Sequence, residues 1–291
     1  MLFVCCSVMY HPQSEYTILL DGRLCRLDKA LVMAIVNVTP DSFYAQSRVS
    51  SSSVLLQQVE KHLNEGADII DVGACSTRPG APMPDEQEER KRLFPALEAL
   101  RKAFPQAILS VDTFRSEIAR AAVQDYGVSI INDVSAGELD DKMFETVADC
   151  RVPYVLTHSA GVYASQQENT DNSPQAVLRY LAEKLQRLRA LGVADVIIDP
   201  GFGFGKSLDE NYELLRHLPD FEILHAPLLV GLSRKRMAYE TLHITAEESL
   251  QATTVLHTLA LQGGAHMLRV HDVKPAVECI KIMNCYRSEE L

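Results

Sequence analysis

The chain has no Cys-x-x-Cys pair, and its seven cysteines are scattered and odd in number. That argues against a disulfide framework or a cysteine zinc site and for reduced thiols in a cytoplasmic protein. Nowhere is there a run of about 18 apolar residues, so no membrane-spanning helix is expected. The first eight residues are apolar but lack a basic stretch, which argues against a secretion signal; residues 1–14 are expected to be a loosely attached tail. Basic charge is also scarce: 28 Lys and Arg against 39 Asp and Glu leave a net charge of −11. A nucleic-acid partner would want a basic face. An anionic small molecule stays allowed, because local charge at a site can oppose the global sign. A true phosphate-binding P-loop is missing too. In the stretch 199–207 the glycine spacing is one short, and Pro200 occupies the position that needs glycine. Its glycines instead suit close backbone approach to a flat ligand, with Phe202 or Phe204 as a stacking face. No obvious nucleophilic triad is present either.

What the chain does have is alternation. Short Val/Ile/Leu runs at 31–38, 68–73, 107–111, 128–132, 153–157, 195–199, 227–231 and 266–270 are apolar throughout, as suits parallel strands buried on both faces. Helix-period segments lie between them at 53–65, 86–103, 115–126, 138–149, 174–191, 209–217, 246–262 and 274–283. Asp85 before Glu86, Glu88 and Glu89, and Ser173 before Pro174, mark two helix starts. Eight strand–helix repeats predict an α/β fold, a (β/α)8 TIM barrel over 31–283 within one domain, 15–291; a doubly wound sheet is the alternative. Residues 16–28, with Asp21-Gly22 between apolar runs, predict an N-terminal β-hairpin closing the barrel's N-terminal end.

Barrel chemistry gathers at the C-terminal ends of strands. There stand Asn37, Asp71, Asp112 and Thr113, Asn132 and Asp133, His158, Asp199, Ser233 to Arg236, and Arg269, His271 and Asp272. One such residue is ordinarily a cap or a turn former; so many converging on one opening predict a site. Two loops, 39–53 and 74–85, are long and read as lids over a substrate. Surface loops without function are the plain alternative for either.

Seven segments, in order, resemble the dihydropteroate synthase family. They are Asn37-Val-Thr-Pro-Asp-Ser-Phe43, Asp71-Val-Gly-Ala-Cys-Ser-Thr-Arg-Pro-Gly80, Ser110-Val-Asp-Thr113 and Ile131-Asn-Asp-Val134. Asp199-Pro-Gly-Phe-Gly-Phe-Gly-Lys206, Gly231-Leu-Ser-Arg-Lys235 and Arg269-Val-His-Asp-Val273 complete them. The resemblance implies small-molecule substrates, a pterin pyrophosphate and p-aminobenzoate, condensed by an SN1-like route with Mg²⁺ assisting, and a homodimer. It implies that Asp112, Asn132, Asp199 and Lys235 hold the pterin. Asn37, Thr77, Arg78, Arg269 and His271 would bind the pyrophosphate, with Asn37 also a metal ligand. Phe43, Arg78, Phe204, Ser233 and Arg236 would line the aminobenzoate site. Asn37, Asp41, Lys235, Arg269 and His271 would carry the chemistry, with Asp41 as the first loop's carboxylate.

Three positions depart from the family pattern. Tyr44-Ala45-Gln46-Ser47 replaces the usual continuation of the first loop, Cys75 replaces a Glu or Gln, and Arg236 replaces a small hydroxyl residue. These leave two other readings open: a pterin-dependent methyl transferase, and a paralogue that binds pterin without turnover. Arg236 is expected to grip the aminobenzoate carboxylate; its alternative is an outward pair with Glu240, one helical turn on.

Overall fold

The computed structural model describes residues 16–38, 48–75, 83–159 and 171–287, with side-chain detail in the first helix beginning at Ser52. The tail 1–14 and the loop residues Asp41, Phe43, Thr77 and Arg78 lie outside the described residues. β1 (Thr17–Leu20) and β2 (Arg23–Arg26) form the expected antiparallel hairpin. Asp21 and Gly22 both have positive φ, 49° and 72°, the geometry that matches a two-residue turn to the right-handed twist of its strands.

Eight strands follow: β3 (Leu31–Asn37), β4 (Ile69–Gly73), β5 (Ile108–Asp112), β6 (Ile130–Asp133), β7 (Tyr154–Thr157), β8 (Val196–Asp199), β9 (Leu229–Val230) and β10 (Met267–Val270). All pair in parallel, in the order β8-β7-β6-β5-β4-β3-β10-β9. A further parallel bridge, Ile198 to Leu228, brings β8 and the start of β9 together and closes the ring. The helices are α1 (Arg48–Glu65), α2 (Glu86–Ala103), α3 (Ser116–Tyr126), α4 (Met143–Cys150), α5 (Pro174–Ala190), α6 (Leu208–Arg216), α7 (Arg236–Tyr239), α8 (Leu250–Gln262) and α9 (Val273–Arg287). Asp85 caps α2 by accepting from Glu88 N at 2.8 Å, and Ser173 caps α5 ahead of its first-turn proline. None of the described helices is long and apolar enough to cross a membrane.

α1 starts at Arg48, not near residue 53. The serine run 50–53 is therefore helical, and the first long loop is correspondingly shorter than the sequence suggests. Serine competes locally for backbone hydrogen bonds, and that low propensity hides the helix start.

Side chains alternate along each strand, one outward and one inward. Outward residues such as Val32, Ala34, Val36, Ile70, Val72, Leu109 and Val111 pack against the helices in one apolar layer. Inward residues change character along the barrel. At the N-terminal end, Met33, Ile69, Ile130, Val155, Ile197, Leu229 and Met267 meet Ile18, Leu20 and Leu27 of the hairpin segment in a second apolar cluster. The hairpin thus plugs the barrel's bottom, and Leu19 N donates to Asp195 Oδ2 at 3.0 Å. Two residues further along, the inward positions of six of the eight strands turn polar: Asp71, Ser110, Asn132, Thr157, Asp199 and Arg269.

Candidate active site

Arg269, inward on β10, is the hub of this polar layer. Its Nε donates to Asp71 Oδ2 and its Nη2 to Asp112 Oδ2, both at 2.7 Å. Asp71 also accepts from Ser110 Oγ at 2.6 Å and from Asn132 Nδ2 at 3.0 Å. Asp71 lies mid-strand and fully buried, and its oxygens are committed to protein donors; it is the counterion of Arg269, not a ligand group. Asp112 spends one oxygen on Arg269 and keeps Oδ1 for a donor. Burial pushes Asp112 up to about 7, aided by Asp71 and opposed by the Arg269 guanidinium. For Arg269 itself burial works against the charge, but Asp71 and Asp112 more than offset this and its pKa is raised.

Asp199 ends β8, where its Oδ1 accepts from Gly201 N at 2.8 Å. Burial raises its pKa, against the pull of Lys235. The turn that follows folds hard onto β7: a Cβ at Gly201 would lie 1.8 Å from His158 O, so only glycine fits there. Phe202 is fully buried among core side chains and offers no stacking face. Phe204 is half-buried, with its ring centroid 4.9 Å from Lys235 Nζ. Lys235 reaches across the opening to donate to Phe202 O, and burial lowers it to about 8 despite Asp199 beside it.

Ser233 Oγ accepts from His271 N and lies 3.2 Å from His271 Nδ1. His271 is exposed at the mouth, yet desolvation by the surrounding protein and then Arg269 push it down to about 4. The Nδ1–Oγ contact suits a ring that accepts from the Ser233 hydroxyl at Nδ1 and carries its proton on Nε2, free to donate to an anion. Asn37, at the end of β3, is exposed at the rim.

Several strand-end residues do not face this opening, because neighbours in a strand point opposite ways. Asp133 turns outward and accepts from Ser135, Gly137 and the Tyr154 hydroxyl. Thr113 donates to Glu89 of α2 at 2.6 Å. Arg234 and Asp272 pair with each other. Arg236 takes the outward alternative: its Nε donates to Glu240 Oε1 at 2.6 Å, on a side chain that is 61% exposed. The helix it begins, α7, is a single turn, so little helix dipole is available to a ligand there. Arg236 thus faces Glu240 rather than the opening in this structure.

Lys206 was not anticipated. It is buried, and its Nζ donates to Gly201 O at 2.8 Å and faces His158 Nδ1 at 2.9 Å and Phe204 O at 3.3 Å. Burial lowers Lys206 to about 7 and His158 to about 3. The surrounding carbonyls and the imidazole nitrogen are all acceptors, which favours the ammonium form and pins the turn that carries Phe204. Cys75, at the stem of the second loop, has its thiol pushed up to about 12 by burial and by Glu89, which leaves it inert as a nucleophile.

Residues 33–271 match the family described as pterin binding enzyme. Dihydropteroate synthase of Escherichia coli strain K12 is 38% identical over 267 residues, covering 90% of this chain and 94% of that protein. The mitochondrial folate synthesis bifunctional protein of Arabidopsis thaliana is also 38% identical, over 88% of this chain, which spans only 49% of that longer protein. Among solved structures, Xanthomonas albilineans dihydropteroate synthase with 4-aminobenzoic acid superposes with a TM-score of 0.85 at 38% identity, covering 94% of this chain and 99% of that one. A closed parallel barrel with carboxylates, an amide and paired cations at its mouth, together with these matches, means that the chain belongs to the dihydropteroate synthase family of pterin-binding enzymes.

Proposed function

We propose that this chain condenses 6-hydroxymethyl-7,8-dihydropterin pyrophosphate with p-aminobenzoate, giving 7,8-dihydropteroate and pyrophosphate. The observation that carries this reading is the Asp71–Arg269–Asp112 array, flanked by Asn132, Asp199 and Lys235 inside the barrel. The 2-amino-pyrimidinone edge of a pterin carries N–H donors, which the free Oδ1 of Asp112 can accept. Asn132, Asp199 and Lys235 supply the polar partners for the rest of the ring. On this reading the pyrophosphate binds toward the rim, beside Arg269, His271 and Asn37.

In the reaction the exocyclic C–O bond breaks and its electron pair leaves on the pyrophosphate. The CH2 cation is delocalised into the pterin until the aminobenzoate nitrogen lone pair forms the new C–N bond, and the nitrogen then loses a proton to solvent. Donors fixed in advance around the leaving oxygens favour this step, because they need no reorganisation as charge develops. On this reading Phe204 and Ser233 border the approach of the aminobenzoate. Magnesium takes one or two protein oxygens and otherwise phosphate and water. The residues here fit that demand: Asn37 offers one oxygen at the rim, Asp41 follows four residues on, and no cage of His, Cys, Asp or Glu exists among the described residues. A bound Mg²⁺ would neutralise charge on the departing pyrophosphate.

The protein is read as a cytoplasmic homodimer. Val255 and Leu259 of α8, and Ile282 and Tyr286 of α9, are apolar yet exposed, with Tyr286 at 76%, and so offer a face for a second copy. The test is pyrophosphate release by the purified chain given dihydropterin pyrophosphate, aminobenzoate and Mg²⁺. Release that depends on aminobenzoate supports the reading. Pterin binding without pyrophosphate release overturns it.

A further inference from the structure

Strand β9 is two residues long, and its ladder with β10 ends at the pair Leu268–Val230. Ser233, Lys235, Arg269 and His271 all lie beyond that point. β10 is still supported by β3, in register as far as Val270–Ala34, but the segment after β9 has no such backbone support from β10. Side chains join the two segments instead. Ser233 meets His271 on the inner side. On the outer side, Arg234 Nε and Nη2 donate to the two oxygens of Asp272, each at 2.8 Å. Arg234 sits at φ +55°, a conformation that a side chain of its size rarely adopts, so the surrounding structure must hold it there. Its backbone N donates to Thr253 Oγ1 of α8 at 3.2 Å. His62 and His257 flank Asp272 electrostatically, and burial depresses both, so neither competes as a counterion.

We propose that Arg234 and Asp272 are positioning residues: their bidentate pair clamps the post-β9 segment, with Lys235, to the post-β10 segment, with His271, and so sets the spacing between pterin and leaving-group contacts. A two-pronged guanidinium–carboxylate pair fixes orientation as well as distance. This inference rests on the function proposed above. Neither side chain touches the substrates; both point away from the opening. If the clamp yields, Lys235 and His271 drift apart by a fraction of an ångström to an ångström, and displacement on that scale costs up to about a hundredfold in rate.

Arg234→Gly separates the clamp from its strain, because glycine accepts φ +55° without cost while removing the pair. The expected result is a fall of tenfold or more in kcat and in affinity for inorganic pyrophosphate measured by calorimetry, with the melting temperature held within a few degrees. The reversed pair, Arg234→Asp with Asp272→Arg, should exceed either single variant in kcat by about tenfold or more. An Arg234→Gly protein within threefold of wild type on both readouts overturns the clamp, as does a reversed pair no better than its singles. Calorimetry keeps the two readings apart: a wild type that binds pyrophosphate without turnover sinks the proposed function, while a weakened Arg234→Gly would still sustain the clamp.

Discussion

Asp112 is expected to make pterin binding depend on pH across neutrality. Burial raises this carboxyl to about 7, and Arg269 occupies only one of its oxygens. The pterin edge brings N–H donors, so it binds the ionised carboxylate and not the acid. The sign follows: affinity is full above the Asp112 pKa and is lost as pH falls through it. With a free-state value near 7, the ionised fraction drops from roughly nine-tenths at pH 8 to roughly one-tenth at pH 6. Apparent affinity then falls about tenfold, or ~1.4 kcal/mol. Binding must also release a proton at low pH, about 0.9 per site at pH 6 and about 0.1 at pH 8, by the same linkage. Titration calorimetry in two buffers of different ionisation enthalpy measures both quantities. Asp112→Asn should remove the proton release and weaken binding by about 1.5–3 kcal/mol, the worth of a hydrogen bond to a charged group. Affinity that is flat or rising toward pH 6 would show that the carboxylate does not receive the pterin.

Arg236→Ser should leave the aminobenzoate KM unchanged and cost only about 0.3–0.5 kcal/mol of stability, since it removes an exposed i,i+4 pair; a several-fold rise in KM would return Arg236 to the site. Thr157 has a buried hydroxyl with no partner among the described residues, so Thr157→Val should raise the melting point by a few degrees, as removing an unpaired buried group worth about 1 kcal/mol would. A drop in melting point would mean the hydroxyl is satisfied. Arg269→Ala strands Asp71 and Asp112 without their shared counterion, and denaturant unfolding should register a loss of about 3–5 kcal/mol, with turnover lost as well. Stability within 1 kcal/mol of wild type would show that the carboxylates are solvated or protonated at little cost.

The strands and most helices were legible because each burden on the sequence was local. Apolar runs mark the strands to within two residues, and Asp85 and Ser173 mark helix starts that the structure repeats. The direction of the strand-end side chains is legible in the sequence too, through parity. Asn132 and Asp133 are consecutive, as are Asp112 and Thr113, and His271 and Asp272, and only one of each pair can face the opening. The inward apolar set, Ile69, Ile130, Ile197 and Met267, fixes which one. Asp71 was harder to read: its role as a saturated counterion depends on Arg269, which lies 198 residues away in sequence. Lys206 was harder still. A lysine after a glycine-rich turn ordinarily faces solvent, and only the folded turn shows its carbonyls converging on the ammonium. For Arg236 the choice between a ligand carboxylate and Glu240 rests on side-chain direction, which a motif does not carry.

Arg269 has two demands on it, and its chemistry reconciles them. A guanidinium carries five N–H donors in a fixed plane. Two are spent on Asp71 and Asp112, which leaves three for an anion arriving from the mouth. The carboxylates are what make the residue usable: without them a cation at this depth would be costly to bury, and with them its position is set before substrate arrives. Asp71 serves only this purpose, since its oxygens are filled by Ser110, Asn132 and Arg269. Asp112 gives one oxygen to Arg269 and, on the proposed function, keeps the other for the pterin. On the proposed function a single charged array would then contact both the pterin and its leaving group, coupling the two through Asp112 and Arg269. A chain whose net charge is −11 can hold a pyrophosphate on these terms, because the charge that matters lies inside the barrel and its carboxylates there are already engaged.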